Sequence, residues 1–557
     1  MMLLRILAAL MRRLMFKMSL GHIFNAPAPR QLIEHSLAQG LRLQKAGQFD
    51  LAESVYKGVL ARSPDESNAL HLMATIEHRR GRMDLAEEFV RRALLVSPRA
   101  VEYMNTLGTI LSDSGRPEAA SQIFRRALKL DPGASLPRSN YLFLMNLLPD
   151  ISRYALFTEH VEWARIHAEP LLPKVIHSGT ADAGQKEPRF PIRIGYVSGD
   201  LWGGHPVGRI CSAVLPRHDK HRFSVFYYNN TRSSDEVTSV LRSSADSWAN
   251  VREIDDEGLA QKIRADNIDI LVDLSGHTRN NRLLVFARKP ARQQVSWLGY
   301  LNTTGMTAMD WRIASEEAEP PGAEKYHTER LWRLPGLPWP WIPPVEGQGI
   351  PEGIERSATD GTVVFGSFNA FRKLNSSVLS TWASILREVP KSRLRVYGVP
   401  EGGSIDRTYA HFERAGIDVT RVALFGTVEY SRYLNAYAEV DISLDPFPYN
   451  GGATTCESLW MGVPVVALAG AGGFARTSAC FLRHLGMEDL IATTRDGYVA
   501  TAVRLANKSD DPYRRRKALR EKVRAAFSNS PLRLITDLED AYVGILSGTS
   551  ALDVVSC

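Results

Sequence analysis

Apolar positions in the first quarter of the chain recur at helical spacing inside a longer period of 34 residues. Gly47, Gly81 and Gly115 hold that spacing, as do Ala52, Ala86 and Ala120; Leu60, Leu94 and Leu128; and Pro64, Pro98 and Pro132. In each unit the glycine ends a first helix and the small alanine lets a second helix pack closely. An aromatic follows (Tyr56, Phe89, Phe124), and the proline stops the second helix because it has no N–H to continue the ladder. Four positions in register through units 31–64, 65–98 and 99–132 predict a tetratricopeptide array. The last unit leaves an apolar face, which the hydrophobic Tyr141–Leu148 and the helical Tyr154–Glu169 are placed to cover.

Past Pro170, Pro173 and a loop-like segment, 177–188, the pattern changes to short β-branched runs. Ile192–Val197, Phe223–Tyr228 and Ile268–Leu274 alternate with helical segments, which implies a parallel sheet with crossover helices. A Pro-rich stretch, 334–351, separates this series from a second: Val363–Ser367, Arg393–Tyr397, Val422–Phe425, Ile442–Leu444 and Val463–Leu468. The predicted fold is multidomain, an all-α repeat array followed by two doubly wound, Rossmann-like α/β domains. The expected divisions are a basic leader (1–30), repeats with a capping helix (31–150), a helix and linker (151–190), the two α/β domains (191–345 and 346–548) and a tail (549–557). Open α/β sheets bind ligands beyond the carboxyl ends of their strands, so the cleft between the two domains is the expected site.

Composition narrows the choice of function. With 44% apolar and 23% charged residues the chain is neither disordered nor fibrous, and the excess of Lys and Arg over acids, 68 − 61 = 7, is mild for 557 residues. The cysteines, Cys211, Cys456, Cys480 and Cys557, lack zinc-knuckle or redox-pair spacing, so no structural metal is expected and a reducing, cytoplasmic location fits. Arg5, Arg12, Arg13 and Lys17 interrupt the most apolar stretch, so no transmembrane segment is expected. The basic run Arg514–Lys517 with Arg520, Lys522 and Arg524 reads as a solvated helix face, and no nucleic-acid partner is expected. Gly470–Ala475 satisfies G-x-G-x-x-A, but a tight turn after any doubly wound strand needs such residues.

The stretch Asp441–Val466 carries the most chemistry. A strand ends at Leu444, a loop with Pro446, Pro448, Gly451 and Gly452 follows, and a helix runs from Thr454 to Met461. Small residues at that helix start leave backbone N–H groups open, and Thr454 and Thr455 add hydroxyl donors, which suits a diphosphate. Glu457, one turn in, is either an acceptor for ribose hydroxyls or an exposed acid on a plain capped helix.

Five segments, IRIGYVSGDLWGGHPVGR, ILVDLSGHTRNNR, QQVSWLGYLNTTG, VVFGSFNAFRKLN and DPFPYNGGATTCESLWMGVPVV, resemble the O-linked N-acetylglucosamine transferase family, with the repeats in the expected N-terminal place. The resemblance runs from Ile192 to about Tyr542. It implies a GT-B fold and an inverting transfer of a sugar, N-acetylglucosamine from UDP, to Ser or Thr hydroxyls of acceptor proteins, with no cofactor and no metal. The absence of any Asp-x-Asp pair agrees with the last point.

By the same resemblance Lys373 is the cation that offsets leaving-group charge, and His205 either a base for the acceptor hydroxyl or a donor that positions it. Asp273 is implied as a proton acceptor or a distant partner in a proton relay, with a helix N-cap or loop role the alternative, and Asp273 and His277 are both implied near the sugar and acceptor. Leu298 and Gly299 would offer backbone groups to the sugar, and Asn369, Gly452 and Ala453 complete the nucleotide-sugar set with Thr454, Thr455 and Glu457.

Some positions depart from the animal enzymes: Ala370, Tyr430, Tyr433 and Gly452-Ala453-Thr454 stand where that pattern has other residues. Tyr433 reads as a nucleobase-stacking ring or as core. The segment CESLWMGVP is also similar to the plant Spindly branch, which implies GDP-fucose as an alternative donor. Ala38, Leu72 and Thr106 occupy the places of the asparagine ladder of long arrays, so that mode of acceptor binding is not expected. A tetratricopeptide adaptor without activity is the reading from another class.

Overall fold

A computed structural model describes residues 30–173, 188–337, 339–342, 361–508 and 512–548. The leader except Arg30, the tail, and most of the two segments read as linkers lie outside the described residues.

Six helices pair as the 34-residue period requires: α1 (Arg30–Lys45) with α2 (Phe49–Arg62), α3 (Ser67–Arg79) with α4 (Met83–Val96), and α5 (Val101–Asp113) with α6 (Pro117–Leu130). The three spaced glycines turn each pair in the left-handed region, at φ 81°, 79° and 71°, which a side chain would resist. A second set sharing the spacing, Gly40, Ala74 and Gly108, lets the partner helix approach. A Cβ at Gly108 would lie 2.7 Å from the Phe124 ring, an overpacking that costs roughly 1–3 kcal/mol. The aromatic register is Tyr56, Val90, Phe124, so the second repeat carries a valine where Phe89 was expected; Phe89 packs half-buried beside it. Helices α7 (Ser135–Met145) and α8 (Arg153–His167) cover the end of the array, burying Leu142, Leu144 and Trp163.

The first α/β domain is a seven-stranded parallel sheet in the order β3-β2-β1-β4-β5-β6-β7, with β1 at Ile192–Ser198, β2 at Phe223–Asn229, β3 at Ser247–Asn250, β4 at Ile270–Asp273, β5 at Gln293–Ser296, β6 at Trp311–Ser315 and β7 at Arg330–Leu334. The second has six parallel strands in the order β10-β9-β8-β11-β12-β13: β8 Val363–Ser367, β9 Ser392–Tyr397, β10 Val422–Phe425, β11 Ile442–Leu444, β12 Val465–Leu468 and β13 Ile491–Ala492. Strand order reverses between β1 and β4 in one sheet and between β8 and β11 in the other. The two crevices these reversals create are where doubly wound sheets take ligands.

Four helices bear on the site or on the joining of the domains: α9 (Pro206–Val214) after β1, α10 (Ala453–Trp460) after β11, α11 (Pro512–Phe527) and α12 (Ser530–Ser547). Helix α12 corrects the boundary expected at 548. Leu534, Leu538, Ala541 and Tyr542 join the core of the first domain, and Glu539 accepts from Asp219 N–H at 2.8 Å and lies 3.0 Å from His218 Nδ1. The chain therefore crosses back and ties the two α/β domains together.

The repeats are fixed to the first domain through a buried joint. His160 Nδ1–H donates to Leu156 O at 2.7 Å, which leaves Nε2 to accept from the Tyr300 hydroxyl at 2.7 Å, and Asn146 Nδ2 donates to that same hydroxyl at 3.0 Å. Burial drives His160 down to about 4, so the ring is neutral near pH 7, as this bonding pattern requires.

Candidate functional site

In the second domain the turn after β8 carries Asn369 and Lys373, and the loop after β11 leads into α10. Lys373 Nζ donates to Asn369 Oδ1 at 3.1 Å and to Asn450 O at 2.7 Å, and lies 5.0 Å from the centre of the Tyr449 ring. Asn369 Oδ1 also accepts from Thr454 Oγ1 at 3.0 Å. One amide oxygen thus ties the cation to the first turn of the helix. Gly452 at the N-cap has no side chain to cap the open N–H groups of that turn, so they and the Thr454 hydroxyl face the crevice lined by Ser367, Asn369 and Asp445. Burial pulls Lys373 down to about 8, with Asp445 pushing back up.

Asp445 is a residue that sequence reading passed over. It is buried, with Oδ1 accepting from Gly451 N–H and Oδ2 from Ser478 Oγ, both at 2.8 Å, so it sets the path of the glycine loop before α10. Thr455 is enclosed in the same network, its Oγ1 2.7 Å from Ser478 Oγ, and supports the turn from below. Asp445 was findable as an acid just past the end of a buried strand, but its partners are remote in sequence.

Glu457 is not the exposed acid of a plain helix. It is 3% exposed, and its oxygens accept from Tyr430 at 3.0 Å and Tyr433 at 2.6 Å. The carboxylate expected to accept ribose hydroxyls is committed to two tyrosines, and burial pushes its acid up. Tyr433 stacks on Tyr430 (5.7 Å, 16°) and meets Phe368 and Tyr437 edge-on, so its ring is built into an aromatic cluster. From the other side of the cleft Arg209, on α9, lies 5.8 Å from the centre of the Tyr430 ring.

In the first domain His205 is the N-cap of α9. Its Nδ1 accepts from Val207 N–H at 3.3 Å, which places the neutral ring's proton on Nε2. Burial lowers the imidazole below its ordinary range while Asp200, just past the end of β1, pushes it up; the Asp200 carboxyl is itself raised by burial. Asp273, at the end of β4, is 1% exposed. Its Oδ1 accepts from Ser275 N–H at 3.1 Å and its Oδ2 from Gly276 N–H at 2.8 Å. Of the roles open to it from sequence, this geometry is the loop role.

His277 departs from expectation more clearly. It is fully enclosed between the capping helices and the first domain, Nε2–H donating to Thr304 O at 2.9 Å and Nδ1 lying 3.3 Å from Ser139 Oγ, with Trp163 packed edge-on at 4.7 Å. Burial drives it down to about 3, so it is a neutral joint residue and not a contact for a sugar.

Leu298 holds φ 72°, an uncommon conformation for a bulky residue, and a Cβ at Gly299 would sit 1.8 Å from Leu274 O. Backbone held in this way at a cleft points to a functional constraint. Leu298 lines a pocket between the two α/β domains whose other wall includes Gly473 and Thr477. The glycine-rich segment 470–475 is thus a wall of the cleft. Gly473 N–H donates to Glu319 Oε1 at 3.2 Å, while Arg476 pairs with Glu317 at 2.7 Å.

The basic run on α11 is partly structural. Arg516 donates to Tyr437 O and Val440 O at 3.0 and 2.7 Å, and Arg520 to Trp460 O at 2.9 Å, closing the carboxyl ends of two helical segments. No cluster of three or more His, Cys, Asp or Glu able to hold a metal ion, and no helix long and apolar enough to cross a membrane, occurs among the described residues.

The family model described as glycosyl transferase family 41 matches residues 164–336 and 355–538, and a tetratricopeptide repeat model matches 65–132. A tomato (Solanum lycopersicum) protein named "Probable UDP-N-acetylglucosamine–peptide N-acetylglucosaminyltransferase SPINDLY" is 36% identical over 71% of this chain and 42% of its own length. The Caenorhabditis elegans UDP-N-acetylglucosamine–peptide N-acetylglucosaminyltransferase is 24% identical over 65% of this chain and 41% of its own. This chain spans less than half the length of these relatives. Among solved structures, a mutant of the Thermobaculum terrenum O-GlcNAc transferase superposes with a TM-score of 0.85 at 34% identity, covering 95% of this chain and 100% of that one.

Proposed function

The chain belongs to glycosyl transferase family 41, and from that premise we propose that it transfers N-acetylglucosamine from UDP to Ser or Thr hydroxyls of acceptor proteins, with inversion and without a metal. The observation that carries the reading is the convergence of the Lys373 ammonium, the Thr454 hydroxyl and the open first turn of α10 on one crevice at a strand-order reversal.

As the C1–O bond of the donor breaks, negative charge grows on the diphosphate. A fixed cation and a helix N-terminus aimed at it lower the barrier with no reorganisation. The acceptor oxygen forms its new bond to C1 from the face opposite the departing diphosphate, which inverts that carbon, while the C1–O bond to the diphosphate breaks and the hydroxyl proton passes to an oxygen of the leaving UDP. His205, with its proton on Nε2, donates to the acceptor oxygen and holds it in line. The repeats, fixed to the first domain by the His160–Tyr300 joint, are the proposed approach for acceptor protein. A cytosolic location belongs to the same proposal and is supported by Cys211, Cys456 and Cys480 being free and buried.

A second reading keeps the scaffold and takes GDP-fucose. Its support is the rebuilt Tyr430–Tyr433 wall around Glu457 and the similarity of CESLWMGVP to the Spindly branch. Calorimetric titration with UDP and with GDP, in the presence of a chelator, separates the two. UDP binding with GDP at least tenfold weaker is the expected result. A GDP preference moves the donor to fucose, and silence from both nucleotides leaves a repeat-bearing adaptor.

A further inference from the structure

We propose that Arg312 is a specificity-determining residue that reads an oxygen of the donor's sugar in the pocket between the two α/β domains, a role that rests on the chain being a nucleotide-sugar enzyme.

Arg312 lies on β6, paired with Ser296 of β5. Its strand neighbours Trp311 and Ile313 enter the core shared with α12, so alternation turns Arg312 to the opposite face. It is 3% exposed, with NH1 donating to Ser296 Oγ at a long 3.4 Å, and its Nε has no hydrogen-bond partner among the described residues. The acids that sense its charge are committed elsewhere. Glu319 accepts from Gly473 N–H with one oxygen and from Arg153 at 2.9 Å with the other, and Asp273 holds two loop N–H groups. A buried guanidinium with an open donor is costly unless an acceptor arrives to meet it.

The place of the pocket says which acceptor. Its walls are Trp297, Leu298, Leu301 and Trp339, with Arg312, Glu319 and Thr477 as its polar side chains. A Cβ added to Gly452, the N-cap of α10, would lie 3.6 Å from Trp339 and 3.8 Å from Thr477, so this pocket begins where the proposed diphosphate site ends. Phosphates already have Lys373, Thr454 and the helix start on the far side. Aromatic and aliphatic walls beside a guanidinium suit the chemistry of a pyranose, whose C–H faces pack on rings while a hydroxyl or acyl oxygen meets the N–H donors.

The test uses Arg312→Met, which keeps the stem and removes the donors, and Arg312→Lys. Affinity is measured by calorimetry for the nucleotide and the matching nucleotide sugar that the wild-type chain binds, either UDP and UDP-N-acetylglucosamine or GDP and GDP-fucose. The expected result is nucleotide affinity within about threefold of wild type, nucleotide-sugar affinity lower by about tenfold or more in the methionine variant, and an intermediate value for lysine. If Arg312→Met does not fold, Arg312→Lys carries the same comparison. Equal losses for nucleotide and nucleotide sugar, or no loss for either, overturn the inference while leaving the enzyme reading intact. A wild-type chain that binds neither nucleotide sugar overturns both.

Discussion

Lys373→Ala is expected to lower turnover by about 100- to 1000-fold and to weaken nucleotide binding, because removing one fixed donor from a site of developing charge has effects on that order. Loss of packing is a lesser term, since Asn369 still accepts from Thr454 Oγ1 and Asn450 Nδ2 still donates to Pro446 O and Leu468 O. The pH profile gives a second readout. Burial brings Lys373 down to about 8, and the ammonium is the form that offsets the diphosphate, so the cation is present below that pH and lost above it. Turnover should therefore fall as pH rises through about 8, and steady-state rates between pH 6 and 10 show it. A variant with wild-type kcat and nucleotide affinity would remove Lys373 from the site.

His205→Ala is expected to lower kcat by about 100-fold, the lower part of the range for a positioned proton-bearing group, with UDP affinity nearly unchanged. The residue also caps α9, and losing the Val207 N–H bond costs about 1 kcal/mol of stability. His205→Asn separates these effects, since asparagine is a good cap: it should restore the melting temperature without restoring full turnover. Because burial holds the imidazole below its ordinary range, its neutral form should persist on the acid side, and once Lys373 is fully charged, at about pH 7, the rate should stay level down to the ordinary imidazole value of about 6.5. Equal rates for His205→Ala and wild type would place the acceptor elsewhere.

The repeats could be read because each helical pair encodes its own turn and contact within 34 residues. Strands β1, β2, β4, β8 and β10 to β12 could be read because buried parallel strands are nearly continuous apolar runs, and β9 by the alternation of Leu394 and Val396 with Arg393 and Arg395. Strands β5 and β6 could not. Gln294 and Arg312 break their pattern, and Gln294 is accommodated only because its Nε2 donates to Phe286 O and Ala308 O once the chain has folded. The same rule divides the site. Asn369, Lys373 and Thr454 follow strand ends and belong to recognisable segments. Asp445, Arg209 and Glu319 act through partners that only the tertiary fold supplies, as when Glu319 grips Gly473, 154 residues further on, across the cleft. His277 misled because a motif gives the neighbourhood of a side chain and not the direction it faces, and here the capping helices enclose it.

The central claim is sugar transfer at this cleft by the cation and helix start in place of a metal. It is tested most directly by incubating the purified chain with UDP-N-acetylglucosamine, a Ser/Thr-containing protein acceptor and excess chelator, then measuring intact mass. Addition of one N-acetylhexosamine, β-linked from an α-linked donor and absent with Lys373→Ala, is the predicted result. Transfer that requires added divalent metal, or that survives in the Lys373→Ala variant at the wild-type rate, would contradict it.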